Sequence, residues 1–144
     1  MTQTFYSNGK LLITGEYVVL NGATALALPT KFGQSLTIEP NKINGIKWSS
    51  FDADGSCWFE TFIVFDEIKN KIKTTDNAIK NTLIEILHEA FQLNPSYLED
   101  VDGYNISTRL TFPKKWGLGT SSTLINNIAN WLSVDPYTLL KNSF

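Results

Sequence analysis

The sequence contains few of the residues on which disulfides, metal sites and hydrolytic triads depend. Its 144 residues include one cysteine, Cys57, and one histidine, His88. A single cysteine excludes an intramolecular disulfide, and one cysteine with one histidine does not make a zinc ligand set. A Ser-His-Asp hydrolase is not supported, because the single histidine lies on the polar side of a predicted helix. We expect His88 to be a solvated surface residue and Cys57 to be a small buried residue of a strand.

The sequence also lacks an excess of basic residues and a long apolar run. A formal net charge of −2 and a pI near 5.3 argue against a nucleic-acid-binding protein, which usually presents a basic face. No apolar run is long enough to span a bilayer and no signal-peptide pattern follows Met1, so we expect a cytoplasmic protein without a membrane partner. With 42% hydrophobic residues the chain can bury one core, and we expect a single domain over residues 1–144.

Alternating apolar residues and turn residues predict strands in the first part of the chain. We expect paired strands over residues 5–20, a short apolar segment at 25–28 stopped by Pro29, and a strand over 32–39 that ends at Pro40. Residues 46–51 and 57–65 flank Asp52-Ala53-Asp54-Gly55, a sequence typical of a hairpin turn. The second hairpin strand has apolar residues on both faces, so we expect both faces to contact protein.

Apolar residues at helical spacing predict helices in the second part of the chain. Asp76 is predicted to cap a helix over residues 77–93, whose buried stripe comprises Ile79, Leu83, Ile86, Leu87, Ala90 and Phe91. A strand over 104–112 precedes a second helix with Leu124, Ile125, Ile128, Ala129 and Leu132 on one side. Asp135 and Pro136 are typical of the start of a third helix. This order predicts an α+β fold, with a mixed or mainly antiparallel sheet and helices packed on one face.

The segment from Pro113 to Thr123 carries most of the functional information. It connects a predicted strand to a predicted helix and contains Gly-Leu-Gly-Thr-Ser-Ser, so its backbone N–H groups can form a nest for an anionic phosphate. It is not a P-loop of the Walker type, because the chain contains no G-x-x-x-x-G-K-[ST] pattern. Taken alone, the segment is equally consistent with an ordinary turn in which Thr120 or Ser121 caps the helix.

A second segment makes the phosphate-binding interpretation more specific. Residues 7–22 contain a Gly-Lys pair, an apolar strand, Gly-Glu-Tyr and another apolar strand. This arrangement resembles the first motif of the GHMP kinases, the superfamily of galactokinase, homoserine kinase, mevalonate kinase and phosphomevalonate kinase. The Gly-Leu-Gly-Thr-Ser-Ser segment resembles the second, phosphate-binding motif of the same superfamily. The two motifs stand in the family's order, and the resemblance implies an N-terminal domain with the ribosomal-protein-like β-α sandwich.

The resemblance implies a role for individual residues in an ATP-dependent, magnesium-dependent kinase of small molecules. The residues expected to contact ATP are Lys115, Gly117, Leu118, Gly119, Thr120, Ser121 and Ser122. The hydroxyl of Ser121 is also expected on the magnesium side, and Lys10 is expected near the accepting hydroxyl or the transferred phosphate. Glu16 and Tyr17 match the residues that lie close to the substrate. Such a constellation suits phosphoryl transfer, which needs positioning and cancellation of negative charge more than covalent chemistry.

Each implied role has a simpler structural alternative. Lys10 could be a solvated lysine at the end of a strand, and Glu16 could pair with a neighbouring lysine on the surface. Lys115 lies beside a second lysine, Lys114, and paired lysines in a loop are often just solvated. The chain also departs from the usual Ala-Pro-Gly-Lys of the first motif, since it has Ser-Asn before Gly9. Lysine and tryptophan before Gly-Leu-Gly, together with Gly-Glu-Tyr, look more like phosphomevalonate kinase than galactokinase, which favours mevalonate or phosphomevalonate as the acceptor.

The resemblance covers essentially the whole chain but only the N-terminal half of the family's fold. The third glycine-rich motif and the C-terminal domain are not in the sequence, so we expect a fragment with little turnover in isolation. Apolar surface left open by a half-fold would favour self-association. Two other functions remain open: a non-catalytic module that binds nucleotide, and a structural β-α domain that binds none.

Overall fold

A central mixed sheet organises the chain. The computed structural model describes residues 2–12, 27–74, 76–112 and 120–143, with the backbone alone at 10–12, 27–31 and 120. The strands of the sheet are β1 (Gln3–Leu12), β2 (Ala27–Pro40), β3 (Ile46–Phe51), β4 (Cys57–Ile63) and β5 (Tyr104–Leu110). Their order is β1-β2-β5-β3-β4, and only the β3–β5 pair of this sheet is parallel. The predicted mixed, mainly antiparallel α+β fold is confirmed.

The helices cover one face of this sheet. They are α1 (Phe65–Lys69), α2 (Ala78–Leu93), α3 (Ser96–Glu99), α4 (Thr120–Leu132) and α5 (Pro136–Ser143). Side chains such as Leu36, Trp48 and Ile106 are buried under the helices, whereas the alternate positions Lys47 and Asn105 are exposed. Helix α4 packs on β1 and β2 and also contacts α5. Within the described residues, no helix is long and apolar enough to cross a membrane.

Strand β2 continues through a proline that was predicted to stop it. Pro29 lies within β2 and is paired with Lys10 of β1. The pairing of β2 with β5 begins only at Gln34, so in the described residues β2 has a neighbour on one side alone at Pro29. A proline lacks a backbone N–H and is tolerated where a strand has a free edge. The predicted end at Pro40 is confirmed.

The predicted hairpin is present, but its second strand is shorter. Gly55 donates to the carbonyl of Asp52 at 2.9 Å and has a φ of 89°, which favours glycine at this turn position. Strand β4 ends at Ile63, and Phe65 begins α1 instead of extending the strand. Phe62 is 43% exposed. The prediction of protein contact along both faces is therefore wrong at Phe62, because β4 is an edge strand with an uncovered outer face.

Neither the single cysteine nor the single histidine has the environment that was predicted for it. Cys57 is exposed, because it is the first residue of an edge strand directly after the turn. His88 is half-buried, and its Nδ1 lies 2.8 Å from the carbonyl oxygen of Ile68 at the end of α1. The histidine therefore connects α2 to α1, a contact that the helical period cannot show.

Helix α2 begins one residue later than predicted. Its N-cap is Asn77 and not Asp76, and the Asn77 side chain accepts a hydrogen bond from the backbone N–H of Lys80 at 3.0 Å. Four residues of the predicted stripe are buried, namely Leu83, Ile86, Leu87 and Ala90. Ile79 is 44% exposed, whereas Ile84, which was not predicted, is fully buried.

The start of α5 is confirmed as predicted. The carboxylate of Asp135 accepts hydrogen bonds from the backbone N–H and from the hydroxyl of Thr138, at 3.1 and 2.6 Å. These bonds lower the pKa of Asp135, the hydroxyl contributing most. The cap fixes α5 directly after α4, with Pro136 at the first helical position.

Candidate active site

The predicted site residues fall into a described group and a group outside the described residues. Glu16, Tyr17, Lys115, Gly117, Leu118 and Gly119 lie outside the described residues. Lys10 is a residue of β1, and Thr120 is the first residue of α4. Ser121 and Ser122 follow in the first turn of α4 and are exposed. The described site therefore consists of the first turn of α4 and the neighbouring part of β1.

Residues on both sides of segment 113–119 are described. On the strand side, Phe112 is fully buried, and the backbone N–H of Thr111 donates to the carbonyl of Gly33 at 2.9 Å. The N–H of Gly33 donates in turn to Thr111 Oγ1 at 2.7 Å. On the helix side, the first turn of α4 contains no acidic residue. The N-terminus of α4 can thus favour a bound anion, since the helix dipole is positive there.

A chain of buried polar side chains holds α4 against β1 and β2. Ser7 Oγ of β1 donates to Asn127 Oδ1 at 2.6 Å and accepts from Asn126 Nδ2 at 2.8 Å. Asn127 Nδ2 donates to the backbone carbonyl of Gln34 at 2.8 Å, and Thr123 Oγ1 donates to Gln34 Oε1 at 2.8 Å. Asn127 is 0% exposed and Gln34 2%. Because buried polar groups are costly unless paired, this network fixes the position of α4 relative to β1.

One cavity lies where β1, α4 and α5 meet. It has a volume of about 350 Å³. Its lining residues come from all three elements: Ser7, Asn8, Gly9, Ser122, Thr123, Ile125, Asn126, Pro136, Tyr137 and Leu140. Hydroxyl and amide groups lie on the β1 and α4 sides, whereas α5 contributes apolar and aromatic groups. The end of the Ser-Asn-Gly sequence before Lys10 and the first turn of α4 therefore meet at one cavity.

The second cavity lies on the other side of the first turn of α4. It has a volume of about 260 Å³ and is more apolar. Its lining residues come from the sheet, α2 and α4: Gln34, Trp48, Ser50, Trp58, Phe59, Ile79, Thr82, Leu83, Ile86, Thr108, Ser121 and Leu124. Ser121 lines this cavity and Ser122 lines the first. The first turn of α4 thus separates a polar cavity from an aromatic one.

The described part of the site is uncharged. No residue lining either cavity carries a formal charge at neutral pH. Among the described residues, no group of three His, Cys, Asp or Glu side chains could hold a metal ion. Hydroxyl, amide and backbone groups are consequently the described polar groups available to a ligand in these cavities.

Sequence reasoning did not identify the buried network of Ser7, Gln34, Asn126 and Asn127. The available signal was the pair Asn126-Asn127 between the apolar residues Ile125 and Ile128 of a helix that packs on the sheet. Polar residues on a buried helix face need partners, and those partners belong to strands far away in sequence.

Neither a protein-family model nor a curated protein matches the sequence. Solved structures do match, and the fold is that of the N-terminal part of the GHMP kinases, which confirms the predicted resemblance. The mevalonate kinase of Methanococcus jannaschii superimposes with a TM-score of 0.70 at 17% identity, over 99% of this chain and 45% of that one. The galactokinase of Lactococcus lactis, complexed with galactose, matches with a TM-score of 0.66 at 16% identity, over 99% of this chain and 36% of that one.

A sugar-phosphate kinase has the same fold. The D-glycero-D-manno-heptose 1-phosphate kinase of Bacteroides thetaiotaomicron matches with a TM-score of 0.66 at 17% identity, over 99% of this chain and 46% of that one. The chain spans less than half the length of these three kinases. At such identities the likeness is one of fold, and it includes kinases with different acceptors.

Proposed function

We propose that this chain is the nucleotide-binding part of an ATP-dependent small-molecule kinase of the GHMP type. The observation that supports this function best is the position of the first turn of α4. It follows the glycine-rich segment, and its two serines line cavities on opposite sides, Ser121 the aromatic one and Ser122 the one beside Asn8 and Gly9. A phosphate bound at this turn would lie between the two cavities.

The aromatic cavity suits the nucleoside of ATP. Trp48, Trp58 and Phe59 line it together with aliphatic residues of α2, and flat aromatic bases are favoured by such surroundings. Ser121 belongs to the same cavity and to the helix N-terminus, so its hydroxyl can contact a phosphate oxygen or a magnesium ion. An oxygen ligand of this kind fits magnesium, which is usually held by few protein oxygens together with substrate phosphates.

The polar cavity suits the phosphoryl acceptor. Asn8 and Gly9 line it, and Lys10 follows them in β1. In the proposed reaction, the helix N–H groups and Lys10 cancel negative charge on the transferred phosphate, and bound magnesium adds to that cancellation. Glu16, Tyr17 and the loop residues Lys115, Gly117, Leu118 and Gly119 keep the roles that the sequence resemblance implies. The acceptor is an alcohol or phosphate of a small metabolite, and the sequence favours mevalonate or phosphomevalonate.

Calorimetric titration with MgATP tests the proposal on the 144-residue chain. We expect the wild-type chain to bind MgATP, and Ser121→Ala to weaken binding about tenfold or more, the effect of losing a hydrogen bond to a charged group. Ser49→Ala is the matched control, because Ser49 lies on the opposite face of the sheet from the buried Trp48 and Ser50. Its affinity should equal that of the wild type.

The other outcomes distinguish the remaining functions. Unchanged affinity in Ser121→Ala would remove that hydroxyl from the site. Binding that never leads to phosphoryl transfer, even in a longer product of the same gene, would favour a non-catalytic nucleotide-binding module. A folded chain that binds no nucleotide would favour a structural β-α domain.

A further inference from the structure

The hydrogen-bond chain between α4 and β1 has a fixed direction. A backbone carbonyl can only accept, so the amide group of Asn127 that contacts the Gln34 carbonyl must be its NH2. The Oδ1 of Asn127 therefore faces Ser7 and accepts the single hydroxyl proton of that serine. With its proton committed, Ser7 Oγ can only accept at its second contact, so Asn126 must present its NH2 to Ser7.

This direction determines which atom of Asn126 is available to a ligand. The Nδ2 of Asn126 is used by Ser7, and its Oδ1 makes no hydrogen bond within the described residues. Asn126 lines the polar cavity and lies one helical turn after Ser122, on the same side of α4. The cavity therefore contains a hydrogen-bond acceptor whose orientation is set by a carbonyl of β2, two side chains away.

We infer that Asn126 is a substrate-binding residue of the acceptor cavity, and that its Oδ1 accepts a hydrogen bond from a hydroxyl of the acceptor. The inference deepens the proposed function and rests on it, because that function assigns the polar cavity to the phosphoryl acceptor. Ser7 and Asn127 are positioning residues, because Asn127 is fully buried and the Oγ of Ser7 is bonded to the two asparagine side chains, whose orientation it sets. A ligand without a hydrogen-bond donor at this position cannot satisfy this oxygen, so the residue selects against such ligands.

The test uses two hydroxylated probes, mevalonate and D-galactose, on the 144-residue chain without nucleotide. In ¹⁵N-labelled wild-type protein, we expect at least one probe to shift the side-chain NH2 signal of Asn126. We expect Asn126→Leu, which is similar in size but has no amide, to weaken binding of that probe about fivefold to tenfold. The matched control is Asn130→Leu, since Asn130 is exposed one turn further along α4 and lines neither cavity.

A further variant separates a positioning role from a merely structural one. Ser7→Ala removes the acceptor of Asn126 Nδ2, so the amide loses its preferred orientation. Probe affinity should fall in this variant, and the NH2 signal of Asn126 should move in the unliganded protein.

The inference is overturned if neither probe binds, if Asn126→Leu binds as the wild type does, or if Asn130→Leu loses as much affinity as Asn126→Leu. MgATP titration is a separate experiment on the same samples. Probe binding through Asn126 without MgATP binding would support the cavity assignment and contradict the kinase proposal, whereas the reverse pattern would contradict the assignment alone.

Discussion

Asn127 provides a severe test of the polar network, because one atom of its side chain can be changed without changing its shape. In Asn127→Asp, one carboxylate oxygen still accepts from Ser7, but the other replaces the NH2 that donates to the Gln34 carbonyl at 2.8 Å. Two acceptors would then face each other in a site that is 0% exposed. The introduced carboxyl must either remain charged and unpaired or take up a proton.

Both alternatives are costly at neutral pH. Keeping the carboxyl protonated at about pH 7 costs about 4 kcal/mol, since each pKa unit above the ordinary aspartate value of about 3.9 contributes about 1.4 kcal/mol. A buried charge left without a partner costs about 3–5 kcal/mol. We therefore expect Asn127→Asp to lower the free energy of unfolding by about 3–4 kcal/mol, a large part of the about 5–15 kcal/mol typical of a domain.

The loss of unfolding free energy in Asn127→Asp should increase as the pH rises. Burial and the facing carbonyl raise the pKa of the introduced carboxyl in the folded state, so the folded chain binds the proton more tightly than the unfolded chain. The destabilisation is therefore small near pH 4 and grows as the pH rises above the unfolded pKa of about 3.9. At low pH the neutral carboxyl can donate its proton to the Gln34 carbonyl, as the amide does in the wild type.

Urea unfolding followed by circular dichroism measures the free energy of unfolding of Asn127→Asp and of the wild type at about pH 4 and about pH 7. Asn130→Asp is the control at both values, because its side chain is exposed on the same helix and should unfold like the wild type. Equal unfolding free energies of Asn127→Asp and the wild type at about pH 7 would refute the network, and with it the orientation deduced for Asn126.

Two further predictions concern other parts of the fold. Burial, with a smaller contribution from Asp100, raises the pKa of Tyr104 to about 12. Its contribution to the free energy of unfolding should be complete below the ordinary tyrosine pKa of about 10 and decline as the pH rises through about 12. Because the chain has five tyrosines, the Tyr104 phenol is followed as the NMR signal that Tyr104→Phe removes, and its titration at about 10 in the folded chain would contradict this. In Gly33→Ala, the new Cβ would lie 2.1 Å from the backbone oxygen of Ser7. We expect a loss of more than about 2 kcal/mol in urea unfolding, and an unchanged midpoint would show that β1 and β2 can separate there.

Several elements were predictable because their cause is local. The turn at Asp52–Gly55 contains the residues that its geometry requires, and Asp135 caps α5 through a residue three positions away. Strand β5 follows from alternation over residues 104–110. In these places the conformation is determined by a few residues that are close together in the sequence.

Other features were wrong or missed because their cause is a distant segment. Pro29 fits within β2 because β5 does not reach that far along it. Cys57 is exposed because β4 is the last strand of the sheet in the described part of the chain. His88 is half-buried because α1, a short helix absent from the sequence prediction, lies against α2. None of these neighbours can be inferred from the residues adjacent to the one in question.

By itself, the sequence determined the order of strands and helices and the place of the glycine-rich segment between β5 and α4, because turn chemistry and hydrophobic period act over a few residues. Only the tertiary structure decided that Ser7 contacts Asn127, 120 residues later, and that Asn126, which lines the polar cavity, consequently presents its NH2 to Ser7. The physical reason is that the pairing of buried polar groups depends on which elements pack together. That packing is decided by the whole core and not by any one segment.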